Sequence, residues 1–425
     1  MDKTVAFIGL GYIGLPTAVV MAESGLKVVG VDISKERVDK INRAETPIVE
    51  PGLEEALRKV VTAGKLTAST EPPEADCYIL AVPTPFKENH EVDISFIYAA
   101  ADSIAPKLNP GALVILESTS PPGTTEKLAQ RIISQRPDLT IDGQPNAAAE
   151  SCVYFAHCPE RILPGNALDE LKTNDRIIGG MSPTATELAT ATYRSFCKGS
   201  LLPTDAKTAE MAKLTENSFR DVNIAFANEL SVICAEQGID VWELIELANH
   251  HPRVNILQPG PGVGGHCIAV DPWFIVDAAP QTARLIRAAR EINDGKPQWV
   301  IDQVKAAAFD VQQATGRAPV VAALGLAFKP NIDDLRESPA LNIAAELAGQ
   351  FSGSDVLVVE PHVTELPAAL QGKDNVRLVA VDEALEAADI VVLLVDHSAF
   401  ADLGDRVADK RVIDTRGQWR TGPSL

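Results

Sequence analysis

The residues best suited to covalent chemistry lie in one glycine-rich stretch that ends in a cysteine. Residues 260–267 contain four glycines and finish at Cys267, and Asp271 follows shortly after. Glycine has no β-carbon, so such a stretch lets backbone and ligand come close to the thiol. A thiolate is a nucleophile that can hold an oxidised carbon covalently. The stretch therefore predicts catalysis through a sulfur intermediate, whereas the other cysteines are predicted to be buried.

A second chemical signature opens the chain. Residues 4–10 are a short apolar run, Gly9, Gly11 and Gly14 have GxGxxG spacing, and Asp32 ends the next apolar run. This is the arrangement of a βαβ unit that binds a dinucleotide, with the pyrophosphate at the helix N-terminus. A carboxylate at the end of the second strand accepts a ribose hydroxyl and repels a 2′-phosphate. The pattern predicts NAD in preference to NADP.

Length and composition limit the classes of function. The chain has 425 residues, 46% of them hydrophobic and 23% charged, which predicts a globular protein of two or three domains. A formal net charge of −20 argues against non-specific nucleic-acid binding. No signal peptide or membrane span is expected, so the predicted location is the cytoplasm. No ligand spacing for a metal is found, and no metal is predicted.

The order of apolar and amphipathic runs predicts an α/β fold with two Rossmann-like parallel-sheet domains joined by a long central helix. That helix is expected over residues 205–237, which contain no Gly or Pro. A break is expected near residues 295–297, followed by a new helix and a second α/β unit. The predicted domains are 1–204, 205–297 and 298–425.

Charged side chains occupy two further elements in a way that indicates binding. On the long helix, Lys213 and Asn217 fall at helical spacing and share a face with Glu210 and Arg220. In the second α/β unit the first loop lacks the GxGxxG spacing and contains Lys329 and Arg336 instead. Side-chain cations in such a loop predict a phosphate-bearing ligand.

These motifs together resemble a known family over essentially the whole chain. Residues 9–16, 159–161, 213–217, 260–267 and 328–339 occur in the order found in the UDP-glucose/GDP-mannose dehydrogenase family. The resemblance implies a four-electron oxidation of a sugar C6 hydroxyl to a carboxylate with two NAD. It also implies that the first predicted domain binds NAD, the second contains the catalytic Lys and Cys and forms the dimer, and the third binds the UDP-sugar.

The segments 214–229 and 251–267 resemble the members that act on 2-acetamido sugars, and 159–165 departs from the glucose-type pattern. The expected reaction is oxidation of UDP-N-acetyl-D-mannosamine to UDP-N-acetyl-D-mannosaminuronate for a bacterial surface polysaccharide similar to enterobacterial common antigen. UDP-N-acetylglucosamine and UDP-glucose are the alternative substrates.

The resemblance also implies roles for individual residues. Cys267 is expected to trap the aldehyde as a thiohemiacetal and then a thioester, Lys213 to steady the oxyanion, and Glu160 to handle water or protons, with Asp271 near the lysine. The expected cofactor contacts are Gly9, Gly11, Tyr12, Ile13, Gly14, Asp32, Thr84, Thr119, Thr125 and Arg336. The expected substrate contacts are Arg161, Ile162, Lys213, Asn217, Arg220, His251, Arg253, Gly264, Phe328 and Lys329.

Other interpretations remain open at this point. A regulator could keep NAD and UDP-sugar binding without turnover, although Cys267 and Lys213 argue against it. A one-step hydroxyacid or phosphogluconate-type dehydrogenase would share the first domain and the long helix, but it has no use for the cysteine stretch. A homodimer or higher homo-oligomer is expected, in which Arg253 reaches a neighbouring subunit's site.

Overall fold

Short apolar segments form two separate parallel sheets, one in each of two units of the chain. The computed structural model describes residues 3–87, 91–145, 147–162, 165–265, 267–351 and 353–419. By its internal contacts the chain divides into Met1–Glu216 and Asn217–Leu425. Within the described residues, every helix is too short or too polar to cross a lipid bilayer.

The first unit is built on a nine-stranded sheet of order β3-β2-β1-β4-β5-β7-β8-β9, with β6 paired to β7. All pairs are parallel except β7 with β8, which is antiparallel. The strands are β1 Thr4–Ile8, β2 Lys27–Val31, β3 Leu66–Ser69, β4 Cys77–Leu80, β5 Leu113–Leu116, β6 Thr140–Ile141, β7 Cys152–His157, β8 Arg176–Gly180 and β9 Leu201–Asp205.

Helices follow most of these strands, as the alternating pattern predicts. They are α1 Gly14–Glu23, α2 Lys35–Asn42, α3 Leu53–Thr62, α4 Ser95–Ile104, α5 Thr124–Gln135, α6 Ala167–Thr173, α7 Pro183–Arg194 and α8 Ala206–Gln237, which continues into the second unit. Val5 and Phe7 of β1 belong to one hydrophobic cluster, whereas Ala6 and Ile8 belong to another. Both faces of the sheet are therefore buried, as is usual for parallel strands.

The second unit contains a five-stranded, wholly parallel sheet of order β12-β11-β10-β13-β14. Its strands are β10 Val321–Leu324, β11 Val356–Val359, β12 Val376–Leu378, β13 Ile390–Leu393 and β14 Arg411–Asp414. The helices of this unit are α9 Val241–Asn249, α10 Asp271–Ala278, α11 Arg284–Thr315, α12 Pro339–Gln350, α13 Val381–Ala387 and α14 Gly404–Val407. The predicted fold class is confirmed, including the long helix α8.

The predicted break in helical structure near residues 295–297 is wrong. Helix α11 continues through Pro297, although proline lacks an N–H donor and usually disrupts a helix interior. Asn293, Lys296 and Val300 are buried on this part of the helix, so tertiary packing offsets the missing hydrogen bond. A β-carbon added to Gly262 would lie 3.0 Å from Cγ of the Pro297 ring. The proline therefore packs against the glycine-rich stretch that precedes Cys267.

Candidate active site

Cys267 lies just after a glycine loop, residues 260–265, and four residues before Asp271, the first residue of α10. All six cysteines are described, none forms a disulfide, and only Cys267 is exposed. Its carbonyl accepts the N–H groups of Val270 at 3.1 Å and Asp271 at 2.8 Å, which closes a tight turn into α10. Gly265 has a φ of 84°, a conformation that disfavours residues with a β-carbon. The sequence thus presents the thiol at a helix start that follows a loop requiring glycine.

The glycine loop packs against the nucleotide loop, defined here as residues 325–336 after β10, and against the chain that follows it. A β-carbon on Gly264 would lie 2.5 Å from the Glu337 carbonyl oxygen and 2.7 Å from Pro339 Cδ. At Gly265 a β-carbon would lie 3.4 Å from the Phe328 ring. The structure therefore brings the predicted substrate contacts Gly264 and Phe328 together, and Gly264 lies three residues before Cys267 in the chain.

Within the nucleotide loop, Lys329 is exposed and Phe328 is half-buried. Arg336 was predicted to contact the cofactor, and its guanidinium lies 2.6 Å from the carboxylate of Asp334 in the same loop. The Asp334 carboxylate also accepts the backbone N–H of Arg336 at 3.0 Å, and the Asp334 carbonyl accepts the Phe328 N–H at 3.2 Å. These contacts close the loop on itself. Lys329 and Arg336 are both exposed cations of the loop, and Arg336 is paired with Asp334.

Asn217 and Asp271 meet in the second unit. The Asn217 amide donates to Asp271 Oδ2 at 2.5 Å, and Asp271 is buried in the first turn of α10. A carboxylate is stabilised at a helix N-terminus by the helix dipole. The sequence predicted both as site residues, and this contact fixes the side chain of each. Lys213, half-buried, lies one turn earlier on α8.

Three other predicted substrate contacts of the second unit lie at the surface. Arg220 is exposed on α8, and His251 and Arg253 are exposed after α9. His251 Nδ1 accepts the backbone N–H of Arg253 at 3.3 Å, so these two residues share one turn. Their side chains are accessible to a ligand or to another protein surface.

In the first unit, the glycine turn after β1 fits a dinucleotide. Gly9 has a φ of 98°, and a β-carbon on Gly14 would overlap the Gly9 carbonyl, so only glycine is tolerated. Asp32 Oδ2 accepts the Leu10 N–H at 3.1 Å and contacts the Arg37 guanidinium at 2.8 Å. The turn and the carboxylate are thus held together as a binding site for NAD requires, and Tyr12 lies exposed at the turn.

The predicted cofactor contacts after β4 and β5 are held by local hydrogen bonds. Thr84 Oγ1 donates to the Thr119 carbonyl at 2.6 Å. Thr125 is fully buried, and both its N–H and its hydroxyl donate to Glu210 Oε1, at 2.7 and 2.6 Å. Glu210 Oε2 also accepts the Gly123 N–H at 2.5 Å. Glu210 therefore accepts the backbone N–H groups of Gly123 and Thr125 at the N-terminus of α5. The Thr125 hydroxyl also points to Glu210.

Glu160 follows β7 and has both carboxylate oxygens engaged. Oε1 accepts the N–H groups of Arg161 at 2.6 Å and Ile162 at 3.1 Å, and Oε2 contacts the Arg176 guanidinium at 2.8 Å. Arg161 in turn forms an ion pair with Glu216. The predicted residues 160–162 are therefore one connected turn whose conformation depends on Glu160.

Arg176 belongs to a buried network that sequence reasoning missed. It is only 2% exposed, and its Nη1 also lies 3.9 Å from Glu117 Oε1. Glu117 accepts the Tyr193 hydroxyl at 2.7 Å, and the Arg176 guanidinium lies over the Tyr193 ring. Burial, together with the charge of Glu160, raises the pKa of Glu117 to about 7. The sequence signal was a glutamate directly after a fully apolar strand.

Three models of the UDP-glucose/GDP-mannose dehydrogenase family match the chain. The NAD binding domain matches residues 3–197, the central domain residues 207–295 and the UDP binding domain residues 322–421.

Individual relatives are similar over nearly the full length. The chain is 58% identical over 421 residues to UDP-N-acetyl-D-mannosamine dehydrogenase of Salmonella typhi, covering 98% of this chain and 99% of the relative. It is 58% identical over 418 residues to NDP-N-acetyl-D-galactosaminuronic acid dehydrogenase of Ralstonia nicotianae, covering 98% and 96%. A solved UDP-D-ManNAc dehydrogenase from Pyrococcus horikoshii superposes with a TM-score of 0.82 at 37% identity, covering 99% and 97%.

The raised pKa of Glu117 predicts a pH-dependent stability. The folded chain holds this proton more tightly than the unfolded chain, whose glutamate has a pKa near 4.5. The corresponding stabilisation is complete below the unfolded pKa and is lost as pH rises through about 7. Glu117→Gln cannot ionise, so its Tm relative to the parent should rise between pH 5 and pH 8. A gain on the order of 1 kcal/mol corresponds to about 2–4 °C by circular dichroism.

The control for this comparison is Glu187→Gln on α7, because Glu187 is exposed. Its Tm difference from the parent should not change with pH. A Glu117→Gln difference that is constant or falls with rising pH would contradict the buried-carboxyl interpretation.

Proposed function

The chain belongs to the UDP-glucose/GDP-mannose dehydrogenase family, and on that premise we propose that it oxidises UDP-N-acetyl-D-mannosamine at C6 to UDP-N-acetyl-D-mannosaminuronate. It is an NAD-dependent nucleotide-sugar dehydrogenase. Relatives at 54–58% identity that are named UDP-N-acetyl-D-mannosamine dehydrogenase support the choice of sugar. We further propose that the reaction takes place in the cytoplasm and supplies a uronate for a bacterial surface polysaccharide similar to enterobacterial common antigen.

One observation carries the proposed chemistry: the exposed Cys267 thiol follows a glycine loop that packs against the nucleotide loop. A UDP-sugar bound through Lys329 would extend toward the glycine loop. Its sugar end would then be the part nearest the sulfur. This supports a covalent role for Cys267 better than a structural one, because buried packing does not explain an exposed thiol.

NAD, which the glycine turn at residues 9–14 and Asp32 would hold, would supply the hydride acceptor for each of the two oxidations. In the proposed sequence, the C6 alcohol first becomes an aldehyde, and Cys267 Sγ adds to it to form a thiohemiacetal. The second oxidation leaves a thioester on Cys267, and water cleaves the C–S bond to release the carboxylate and the thiol. The balance is RCH₂OH + 2 NAD⁺ + H₂O → RCOO⁻ + 2 NADH + 3 H⁺.

The remaining catalytic roles follow the family resemblance and are supported by local contacts. Lys213 is proposed to stabilise the oxyanion of the thiohemiacetal. Asn217 and Asp271 hold each other through the 2.5 Å hydrogen bond, which orients both groups. Glu160 is proposed to position the hydrolytic water, and the Arg176 contact fixes the orientation of its carboxylate.

The division of binding roles is likewise a proposal. We assign NAD binding to residues 1–204, dimerisation together with the catalytic Lys and Cys to 205–297, and UDP-sugar binding to 298–425. The matched ranges of the three family models support this division, although their limits differ by some residues from those predicted. The glycine turn at residues 9–14 and Asp32 support the first assignment, and the nucleotide loop supports the third.

A homodimer is proposed to form through helix α8. Phe219, Phe226 and Ile233 repeat every seven residues and are 68%, 51% and 46% exposed. Seven residues span two turns, so the three side chains form one apolar stripe that can pack against the same stripe of a second copy. Arg253 is the residue expected to reach the neighbouring subunit's site.

The sugar is tested by comparing rates with UDP-N-acetylmannosamine, UDP-N-acetylglucosamine, UDP-N-acetylgalactosamine and UDP-glucose. The galactosamine sugar is included because a relative at 58% identity carries that name. We expect the first to have the highest kcat/KM by more than about tenfold, or about 1.4 kcal/mol, and to form two NADH per sugar. Formation of one NADH per sugar with release of free aldehyde would contradict the thioester route. A higher kcat/KM with any of the other three sugars would make that sugar the substrate instead.

Substitution of the proposed nucleophile and oxyanion donor should separate an enzyme from a binding regulator. Cys267→Ser should bind NAD and UDP-sugar but form no second NADH. Lys213→Ala should lower kcat by about a hundredfold to a thousandfold, because one preorganised donor is lost. The matched control is Lys207→Ala, an exposed lysine on the same helix paired with Glu126. Undiminished uronate formation by Cys267→Ser would refute the covalent route.

The dimer is tested by Phe226→Asp, which buries a charge in the proposed stripe. Light scattering after gel filtration should give a dimer for the parent and a monomer for the variant. Phe309→Asp is the control, because Phe309 is an exposed aromatic residue on α11 outside the stripe. A parent that is monomeric, or a Phe226→Asp variant of unchanged mass, would contradict this interface.

A further inference from the structure

A buried Glu–His pair lies at the edge of the second sheet, and nothing in the proposed reaction uses it. Glu360 directly follows β11 and His397 comes shortly after β13, the two neighbours of β10. Both residues are buried, at 4% and 0% exposure. The carboxyl ends of parallel strands meet at one sheet edge, so both side chains lie beside the start of the nucleotide loop after β10.

Glu360 holds the first residues of that loop. Its Oε2 accepts the backbone N–H groups of Leu326 at 2.7 Å and Ala327 at 3.1 Å. The same oxygen lies 3.1 Å from His397 Nε2. Although burial opposes ionisation, the hydrogen bond from His397 and those from the backbone lower the pKa of Glu360 below its usual value. The glutamate therefore provides a buried anion that orients the loop N–H groups.

His397 holds the middle of the same loop. Its Nδ1 accepts the backbone N–H of Asn331 at 3.0 Å, which assigns the ring proton to Nε2, where it donates to Glu360. Asn331 has a φ of 61°, a conformation that needs local support in a residue with a β-carbon. Its Oδ1 accepts the N–H and the hydroxyl of Ser398 at 3.0 and 2.9 Å, which supplies that support.

The segment between these two anchors contains Phe328 and Lys329. Phe328 contacts the glycine loop at Gly264 and Gly265, and Lys329 is the exposed cation of residues 326–331. An anchor before and an anchor after the segment restrict its backbone to one conformation. Loss of the hydrogen bonds at either anchor would therefore change the positions of both Phe328 and Lys329.

We propose that Glu360 and His397 are positioning residues that hold residues 326–331 in the conformation that binds the UDP phosphates. This inference rests on the proposed function of the nucleotide loop and deepens it. Neither side chain is proposed to touch the substrate; both act through backbone hydrogen bonds to the loop that does. The loop is thus preorganised, and binding does not have to supply the free energy needed to order it.

A divalent metal is the competing explanation for the same residues. Ligand atoms of Glu360, His362 and His397 lie within 4.8 Å of one another, among the described residues. However, the lone pair of His397 Nδ1 accepts the Asn331 N–H, and Nε2 carries the ring proton. A metal could bind only if one of these contacts were broken. The geometry therefore favours a satisfied hydrogen-bond pair.

The test measures UDP affinity by calorimetry alongside steady-state kinetics. His397→Ala removes the acceptor of the Asn331 N–H and should weaken UDP binding and raise KM for the UDP-sugar by at least about tenfold. The dissociation constant for NAD should stay within about twofold, because residues 326–331 include none of the predicted NAD contacts. His397→Asn can offer a carbonyl oxygen near the Nδ1 position, and it should recover most of the UDP affinity.

His362→Ala is the matched control, because His362 is exposed and its ring lies 5.1 Å from that of His397. It should leave UDP affinity and activity unchanged, with or without added Zn²⁺. A metal site would replace the proposal if His362→Ala weakened UDP binding as much as His397→Ala does. The same would follow if chelator treatment of the parent protein weakened UDP binding and added Zn²⁺ restored it. If His397→Ala fails to fold, Glu360→Gln takes its place, with UDP binding expected to weaken at least about threefold.

Unchanged UDP affinity in a folded His397→Ala or Glu360→Gln variant would overturn the positioning role. A different result would contradict the proposed function. A parent protein that binds UDP through this loop but oxidises none of the nucleotide sugars would remove the enzyme proposal and leave the positioning pair intact.

Discussion

The close contact between the glycine loop and the residues around the nucleotide loop is the constraint on which the candidate site depends. A β-carbon on Gly264 would reach 2.5 Å from the Glu337 carbonyl, a distance that only a backbone shift could relieve. Pro297, inside α11, packs on the same loop at Gly262. The loop is therefore confined from two sides, and Cys267 emerges where it ends. Glycine is required here for close packing as much as for its backbone freedom.

Buried charged groups fix the candidate residues instead of leaving them mobile. Glu160 is held by Arg176 and two backbone N–H groups, Asp271 by Asn217, and Thr125 by Glu210. The carboxylates of Glu160, Asp271 and Glu210 each accept hydrogen bonds from such donors, which offset their removal from water. The common consequence is preorganisation: these hydrogen bonds orient Glu160, Asp271 and Thr125 before a ligand arrives. In the nucleotide loop, Glu360 and His397 give the same result through backbone contacts.

The sequence predicted those features that depend on local patterns. The GxGxxG turn, the helix α8 and the exposed cysteine could be recognised because glycine spacing, helix breakers and short motifs act within a few residues. The partners Glu210–Thr125 and Tyr193–Glu117 could not, because 85 and 76 residues separate them along the chain. The continuation of α11 through Pro297 was missed for a related reason. Tertiary burial of Asn293, Lys296 and Val300 offsets the local cost of proline, and no local pattern reports that burial.

The central claim is that the packed loops place the Cys267 sulfur at the sugar end of a nucleotide held by Lys329. The most direct measurement is the rate at which iodoacetamide alkylates Cys267, followed by peptide mass spectrometry, with and without saturating UDP-N-acetylmannosamine in the absence of NAD. The account predicts that the bound nucleotide sugar slows alkylation by at least about tenfold, because it covers the thiol and excludes the reagent. An unchanged alkylation rate, at a nucleotide-sugar concentration shown by calorimetry to saturate the protein, would contradict it.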